Sequence, residues 1–265
     1  EEDGGGENSI SAKVEDLKDT GYVTPKEMGQ NMTANQIYES GKTIAGELTK
    51  IGINLNLAPV ADLASAQNPS YAMRCLGSDA DGVADLLDDF VSGMREGGLS
   101  VTLKTFPGIG NVSADVTESI AENTDSLMTI RDTNFVPYAS GIQAGADCVM
   151  VSNAAYSKLT VKKVPAFMSQ DIVTKLLREE LGFDGIVMTS PLNDNVIENN
   201  YTNEFAVVEA VKAGCDLIVL PGNFKECYEA LITAVEEGRI DEKVINTSVR
   251  RILQNKIQRG ILVLE

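Results

Sequence analysis

One unit recurs five times along this chain: an amphipathic helical pattern that ends at glycine and passes directly into an apolar run. The glycines that end these patterns are Gly52, Gly98, Gly145, Gly182 and Gly214. Glycine adopts the left-handed backbone conformation that stops a helix, and it does so without the steric penalty of a Cβ atom. Each unit therefore predicts a helix that leads into a strand.

The apolar runs predict five short strands, because they are nearly continuous and rich in Val, Ile and Leu. Continuous apolar runs are typical of strands buried on both faces, as in a parallel sheet covered by helices. The predicted strands are 53–60, 100–106, 148–154, 185–190 and 215–221. The predicted helices are 33–51, 81–97, 132–144, 169–181, 202–213, 224–237 and 241–259. The fold class is therefore α/β, and periodicity alone leaves both a barrel and a doubly wound sheet open.

The length and composition, 265 residues of which 43% are hydrophobic, fit a single α/β domain over 1–265. We expect residues 1–32 to be a loop or linker, since they are Gly-rich and polar and then weakly patterned, and 33–265 to carry the βα units. The formal charge of −17, with 22 Lys and Arg against 39 Asp and Glu, argues against nucleic-acid binding. A phosphate backbone must be neutralised by basic side chains.

No apolar stretch is long enough to predict a membrane span. No cofactor is implied, because the chain has no histidine and no Walker-type glycine loop, and its four cysteines lack CxxC spacing. We expect these cysteines to be core residues. The N-terminus has neither Met nor a secretion signal, so the chain looks processed or excised, and its compartment is left open.

The stretch 104–111 reads Lys-Thr-Phe-Pro-Gly-Ile-Gly-Asn. It resembles the Lys-His-Phe-Pro-Gly-His-Gly-Asp motif of glycoside hydrolase family 3, in the branch of the bacterial β-N-acetylhexosaminidases. Thr105, Ile109 and Asn111 stand where that motif has two histidines and an aspartate. Further matches are Ala-Pro-Val-Ala-Asp at 58–62 and Leu-Gly-Phe-Asp-Gly at 181–185.

The resemblance implies a TIM-type (β/α) barrel, and it covers nearly the whole chain. The five predicted strands resemble the fourth to eighth of the family barrel, so the barrel is expected to be incomplete. Glu1-Glu2-Asp3-Gly4-Gly5 resembles the acidic loop that follows the third strand. Since proteins rarely leave long apolar strand edges exposed, we expect another chain or a missing or rearranged N-terminal segment to complete the barrel.

The same resemblance places the catalytic positions, and neither is competent. Ser190 stands at the position of the family's carboxylate nucleophile, in Val-Met-Thr-Ser-Pro-Leu at 187–192. In the acid/base loop, Asp115 is retained as the orienting partner, while Thr117 stands at the position of the proton-donating histidine. A retaining glycosidase needs a carboxylate nucleophile and a separate proton donor, and neither hydroxyl supplies these functions.

Four residues match family positions implied to contact sugar hydroxyls or to order the site: Lys104, Arg74, Asp62 and Asn153. Lys and Arg are suited to this role because they offer several charged donors. The alternatives are structural ion pairs for the two cations, and for Asp62 the ordering of its own loop. Asn153 replaces a further histidine, and Gly6 replaces an arginine that often follows Glu-Gly-Gly in the family's N-terminal loop.

Three functions follow from these observations. The first is a domain of the family that has lost hydrolysis and that binds a saccharide ligand or serves as a scaffold. The second is an active glycosidase of the β-N-acetylhexosaminidase or β-glucosidase type with relocated carboxylates, for which Asp194 is the main candidate, with Glu2, Asp3, Glu118 and Asp115 in reach. The third is a protein-interaction scaffold whose mouth binds no ligand.

Overall fold

The computed structural model describes residues 23–69, 71–112 and 114–263, and these form two compact units. The first unit comprises the described residues up to 111 together with 128–149. The second comprises 112–127 and the chain from 150 onward. The single-domain organisation stays a prediction. Gly6 and the acidic opening of the chain lie outside the described residues.

Nine α-helices, six strands and one π-helix occur in the described residues. The α-helices are α1 (Pro25–Asn31), α2 (Ala34–Lys50), α3 (Ala80–Glu96), α4 (Leu127–Asp132), α5 (Phe135–Gln143), α6 (Asn195–Glu198), α7 (Asn203–Ala213), α8 (Phe224–Glu236) and α9 (Glu242–Gln258). The strands are β1 (Leu55–Asn56), β2 (Ser100–Phe106), β3 (Glu122–Asn123), β4 (Cys148–Val151), β5 (Ala155–Tyr156) and β6 (Ile186–Thr189). The π-helix is Asp171–Glu180, and short 3₁₀ turns cover Tyr71–Arg74 and Ala166–Met168.

The helix prediction is confirmed for all seven patterns, each of which contains a helix of the structure. The prediction of a loop over 1–32 is wrong for α1. Thr24 begins this helix with a capping box, since its side chain accepts from the Glu27 amide while Glu27 accepts from the Thr24 amide. Pro25 follows at the first helical position, where its missing N–H costs nothing.

The glycine signal is confirmed at all five positions. Each glycine that was expected to stop a helix has a positive φ in the left-handed region. The φ values are 86° at Gly52, 90° at Gly98, 93° at Gly145, 69° at Gly182 and 112° at Gly214. A residue with a Cβ atom is strained in this region of φ. The glycines therefore determine the residue at which each helix ends and the next apolar run begins.

In the first unit, α2 packs on α3, α3 packs on α5, and β1 pairs in parallel with β2. Leu55 lies opposite Ser100 in this pair. The predicted strand 53–60 is shorter than expected, because Pro59 has no N–H to donate to the ladder. Pairing resumes as a single parallel bridge between Val60 and Lys104. The amide of Asp147, just before β4, donates to Val101 of β2 at 3.0 Å.

In the second unit, β6 lies beside the end of β4, since the Ser190 amide donates to Val151 at 2.9 Å. The strand predicted over 215–221 is wrong as a strand, because only one parallel bridge forms there, between Met188 and Leu217. The run is half-buried, and it ends at Leu220, which has a left-handed φ of 46° that a strand does not accommodate. A short parallel pair, β3 with β5, was not expected.

A buried ion pair in the second unit fixes the start of the run 215–221. Asp216 accepts from Arg178 at 2.5 Å and from Arg251 of α9 at 3.1 Å, and it also accepts from the Val187 amide of β6 at 2.9 Å. The Asp216 side chain is fully buried, so these three donors compensate its lost hydration. The α/β class and the parallel pairing are therefore confirmed within each unit, while closure of a barrel stays a prediction.

Gly182→Ala tests the left-handed glycines. No atom lies within 4 Å of the added Cβ, so the cost comes from the backbone alone, and we expect about 1–2 kcal/mol less free energy of unfolding. The matched control is Gly46→Ala inside α2, where the Cβ also meets no atom and alanine is the better helix former. This variant should gain about 0.5–1 kcal/mol. Urea denaturation followed by circular dichroism measures both, and equal effects would contradict the assignment.

Candidate functional site

Asp62 is the centre of a buried hydrogen-bond network in the first unit. Its carboxylate accepts from the Tyr71 hydroxyl at 2.7 Å and from the Tyr138 hydroxyl at 2.9 Å. It also accepts from the Thr105 amide at 3.1 Å and from the Thr105 hydroxyl at 2.8 Å. Three of these donors lie on Oδ2 of the carboxylate and one, the Tyr138 hydroxyl, lies on Oδ1. Asp62 therefore ties the loop after 58–61 to the end of β2.

Burial raises the pKa of Asp62, while the hydrogen bonds from Tyr71, Thr105 and Tyr138 act in the opposite direction. Burial, together with the negative charge of Asp62, raises the pKa of Tyr71 well above its usual range. Tyr71 therefore stays a hydroxyl that donates to Asp62. The network gives Thr105 a structural role. At a position where the resemblance implies histidine, its amide and its hydroxyl both donate to the Asp62 carboxylate.

Each of the two proposed sugar-contacting cations is close in sequence to a member of this network. Lys104 precedes Thr105 in β2 and is buried, with 2% exposure. Arg74 ends the 3₁₀ turn and lies over the ring of Tyr71, 5.1 Å from its centre. Burial lowers the pKa of Arg74. In the same motif, Ile109 is buried as a core residue, whereas Asn111 is exposed.

Ser190 directly follows β6 in the second unit and is 6% exposed. Its amide donates to the Val151 carbonyl at the end of β4. The ends of two neighbouring parallel strands, β4 and β6, therefore determine its position. A serine hydroxyl needs a base to become a nucleophile, and the chain has no histidine to serve as one. The structure therefore places a hydroxyl, and no carboxylate, at the end of this strand.

The acid/base loop is held in a local turn. Asp115 accepts from the Thr117 amide at 2.8 Å and from the Thr117 hydroxyl at 2.7 Å. The loop is bound to the start of α6, since Thr117 accepts from the Val196 amide at 2.7 Å and the Glu118 carboxylate accepts from Asn195 at 2.9 and 3.1 Å. The Thr117 hydroxyl thus donates its hydrogen bond to Asp115.

Asn153 and Asp194 meet in the second unit. The Asn153 side chain is 1% exposed, and its Nδ2 donates to Asp194 at 2.9 Å and to the Pro191 carbonyl at 3.3 Å. Burial, then the negative charge of Asp115, raises the pKa of Asp194 to about 6, with the hydrogen bond from Asn153 opposing and Glu118 adding to the rise. Of the predicted site residues, Asn153, Asp194, Asp115 and Thr117 are therefore brought together.

The three positions where the resemblance implies histidine share one feature. Thr105, Thr117 and Asn153 each donate a side-chain hydrogen bond to a carboxylate, namely to Asp62, Asp115 and Asp194. Each replacement keeps the donor and loses the ability to titrate near neutral pH. These positions still orient carboxylates, and none of them can carry a proton to a leaving group.

Sequence reasoning missed three contributors to these networks: Tyr71, Tyr138 and Asn195. Tyr138 lies on α5, 76 residues beyond Asp62, and no local pattern signals that pairing. Tyr71 and Asn195 stood beside motif residues, and a search for donors near each candidate carboxylate would have found them. Among the described residues there is no group of three side chains suited to hold a metal ion, and no helix long and apolar enough to cross a membrane.

A family model described as Glycosyl hydrolase family 3 N terminal domain matches residues 11–255. The chain belongs to glycosyl hydrolase family 3. The resemblance read from 104–111 is thereby confirmed.

Relatives in the family carry hexosaminidase and glucosidase names. A beta-hexosaminidase from Xylella fastidiosa (strain M23) is 32% identical, over 69% of this chain and 54% of the relative. A beta-N-acetylglucosaminidase/beta-glucosidase from Cellulomonas fimi is 27% identical, over 95% of this chain and 48% of the relative. The solved family 3 beta-N-acetylglucosaminidase from Paenibacillus sp. str. FPU-7 has a TM-score of 0.87 and 33% identity, over 91% of this chain and 48% of that one. The chain spans about half the length of these relatives.

Tyr138→Phe tests the Asp62 network. The substitution keeps the edge-on packing against Phe106 and removes one donor to a buried carboxylate. We expect a loss of about 1.5–3 kcal/mol in the free energy of unfolding, measured by urea denaturation. Tyr228→Phe, at a side chain that is 57% exposed, is the control and should change little. Equal stability of the two variants would mean that the Tyr138 hydroxyl contributes nothing.

Two substitutions should move the pKa of Asp194 in opposite directions. Asp115→Asn removes a neighbouring negative charge and should lower that pKa from about 6, whereas Asn153→Ala removes a stabilising donor and should raise it. NMR titration of the aspartate side-chain carbons measures both shifts. Asp184→Asn, which removes an exposed acid of the same unit, is the control. Shifts of the same sign in the two test variants would refute the assigned causes.

Proposed function

We propose that this chain is a saccharide-binding domain of glycosyl hydrolase family 3 that does not cleave glycosidic bonds. The observation that carries the proposal is the hydroxyl of Ser190 at the end of β6, where the family places its nucleophile. The Thr117 hydroxyl, bonded to Asp115, supports the same conclusion for the acid/base position. Saccharide binding is supported by family membership and by the names of the relatives.

The loss of both groups has a large expected effect on rate. General acid catalysis alone contributes about 10²–10⁴-fold, and a retaining mechanism also needs a carboxylate that forms the covalent intermediate. Thr117 and Ser190 carry aliphatic hydroxyls, which are poor general acids, and the chain has no histidine to activate either of them as a nucleophile. Binding needs only hydrogen-bonding groups in place, and Lys104 and Arg74 would donate to the oxygens of sugar hydroxyls.

The purified protein should show no turnover of chromogenic N-acetylglucosaminides or glucosides above a blank without protein. Calorimetry should detect saturable binding of N-acetylated or unmodified monosaccharides. Lys104→Met should weaken this binding about tenfold or more, because it removes a charge-assisted donor and keeps an apolar stem of similar length. Lys175→Met, at an exposed pair with Asp171, is the control. Saturable hydrolysis would overturn the loss of activity, and absence of all binding would favour a scaffold.

A second function is favoured by one observation, the rise in the pKa of Asp194 to about 6. A carboxyl group that titrates near neutral pH suits a general acid, and Asp115 and Glu118 are further carboxylates close to it. In this reading the chain is an active glycosidase with relocated acids. Hydrolysis abolished by Asp194→Ala but not by Asp184→Ala, or a fluorosugar adduct on any carboxylate, would favour it over the binding domain.

A further inference from the structure

The Asn153 side chain leaves one buried acceptor unused. Its Oδ1 has no hydrogen-bond partner among residues 23–69, 71–112 and 114–263. The orientation of the amide is fixed, because its Nδ2 donates to two acceptors, Asp194 and the Pro191 carbonyl. In the flipped orientation the amide oxygen would face these acceptors and could not donate to them. A buried acceptor without a donor costs about 1–3 kcal/mol, so a ligand that brings a donor to this atom would be favoured.

The groups that face Asp194 are negative or neutral. Asp115 and Glu118 come from the loop bound to the start of α6, Asn153 follows β4, and Asn195 lies beside Asp194 on α6. The two acids raise the pKa of Asp194, and no basic side chain contributes to its shift. The site is therefore an unneutralised set of acceptors, which a positively charged donor would complement.

We infer that the ligand of this site carries a free ammonium group, as a glucosamine-type amino sugar does, and not the neutral N-acetyl group. The inference rests on the proposed saccharide binding and specifies the class of saccharide. An ammonium group brings three N–H donors and one positive charge. It satisfies the Asn153 Oδ1 atom and relieves the repulsion between Asp194 and its neighbouring acids. An N-acetyl group brings one neutral donor and a methyl group, so the repulsion remains.

Three matched probes test this inference on the whole protein: the methyl β-glycosides of glucosamine, N-acetylglucosamine and glucose. Calorimetry at low ionic strength should show the glucosaminide binding about tenfold or more tightly than the other two. Lowering the pH from 7 to 5 protonates Asp194, whose pKa is about 6, and should weaken the glucosaminide selectively. Lowering the pH also protonates the amine more fully, which would strengthen binding, so a loss of affinity reports the carboxyl.

Asp194→Asn keeps a similar side-chain shape and should abolish the preference for the glucosaminide. Asp184→Asn removes an exposed acid elsewhere in the unit and should leave that preference unchanged. Equal or tighter binding of the N-acetylated probe by the wild-type protein would overturn the inference and leave the proposed saccharide binding intact. Absence of binding for all three probes would overturn both.

Discussion

The left-handed glycine between each helix and the following apolar run is the constraint on which the rest of the structure depends. It ends the helix at a defined residue, and this position sets where the strand begins and where it ends. Polar residues lie at the strand ends of each unit: Thr105 near the end of β2 in the first unit, and Asn153 after β4 and Ser190 after β6 in the second. Because the strands are short and buried, a shift of one residue at the glycine would bury these side chains or turn them away.

The carboxylates at the positions where the resemblance implies neighbouring histidines have hydrogen-bond partners. Asp62 collects four donors within one unit, Asp115 is held by Thr117, and Asp194 is held by Asn153. A buried or half-buried carboxylate without donors is costly, so the bonds to Asp62 and Asp194 would be retained for stability whatever the activity, whereas Asp115 is exposed. The replacements therefore separate two properties that a histidine combines: orienting a carboxylate, which the hydroxyls and the amide still do, and transferring a proton, which they cannot do.

The helices and the buried strands could be predicted, because helical periodicity and glycine position are local signals. The loop prediction is wrong at α1. The Thr24 and Glu27 capping box is visible in the sequence, but the glycine-rich residues before it favour a loop. The strand at 215–221 failed for a different reason. Its composition matches a buried strand, but within the described part of the chain Leu217 forms a single bridge, to Met188, and pairing partners are a tertiary property. Motif matches propose the site residues from the sequence, whereas the contact of Tyr138 with Asp62, 76 residues away, depends on folding.

Proton transfer and charge complementarity make different demands on a carboxyl group. A general acid must gain and lose its proton within one turnover, and it must act together with a second group that attacks the anomeric carbon. At the end of β6 the second group is the Ser190 hydroxyl, so a titrating Asp194 could perform at most half of that chemistry. Binding requires only that Asp194 be ionised, and the neighbouring acids that raise its pKa also increase the attraction for a cation once it is ionised. The same like-charge repulsion that hinders a carboxylate pair in catalysis therefore strengthens a site built to recognise positive charge.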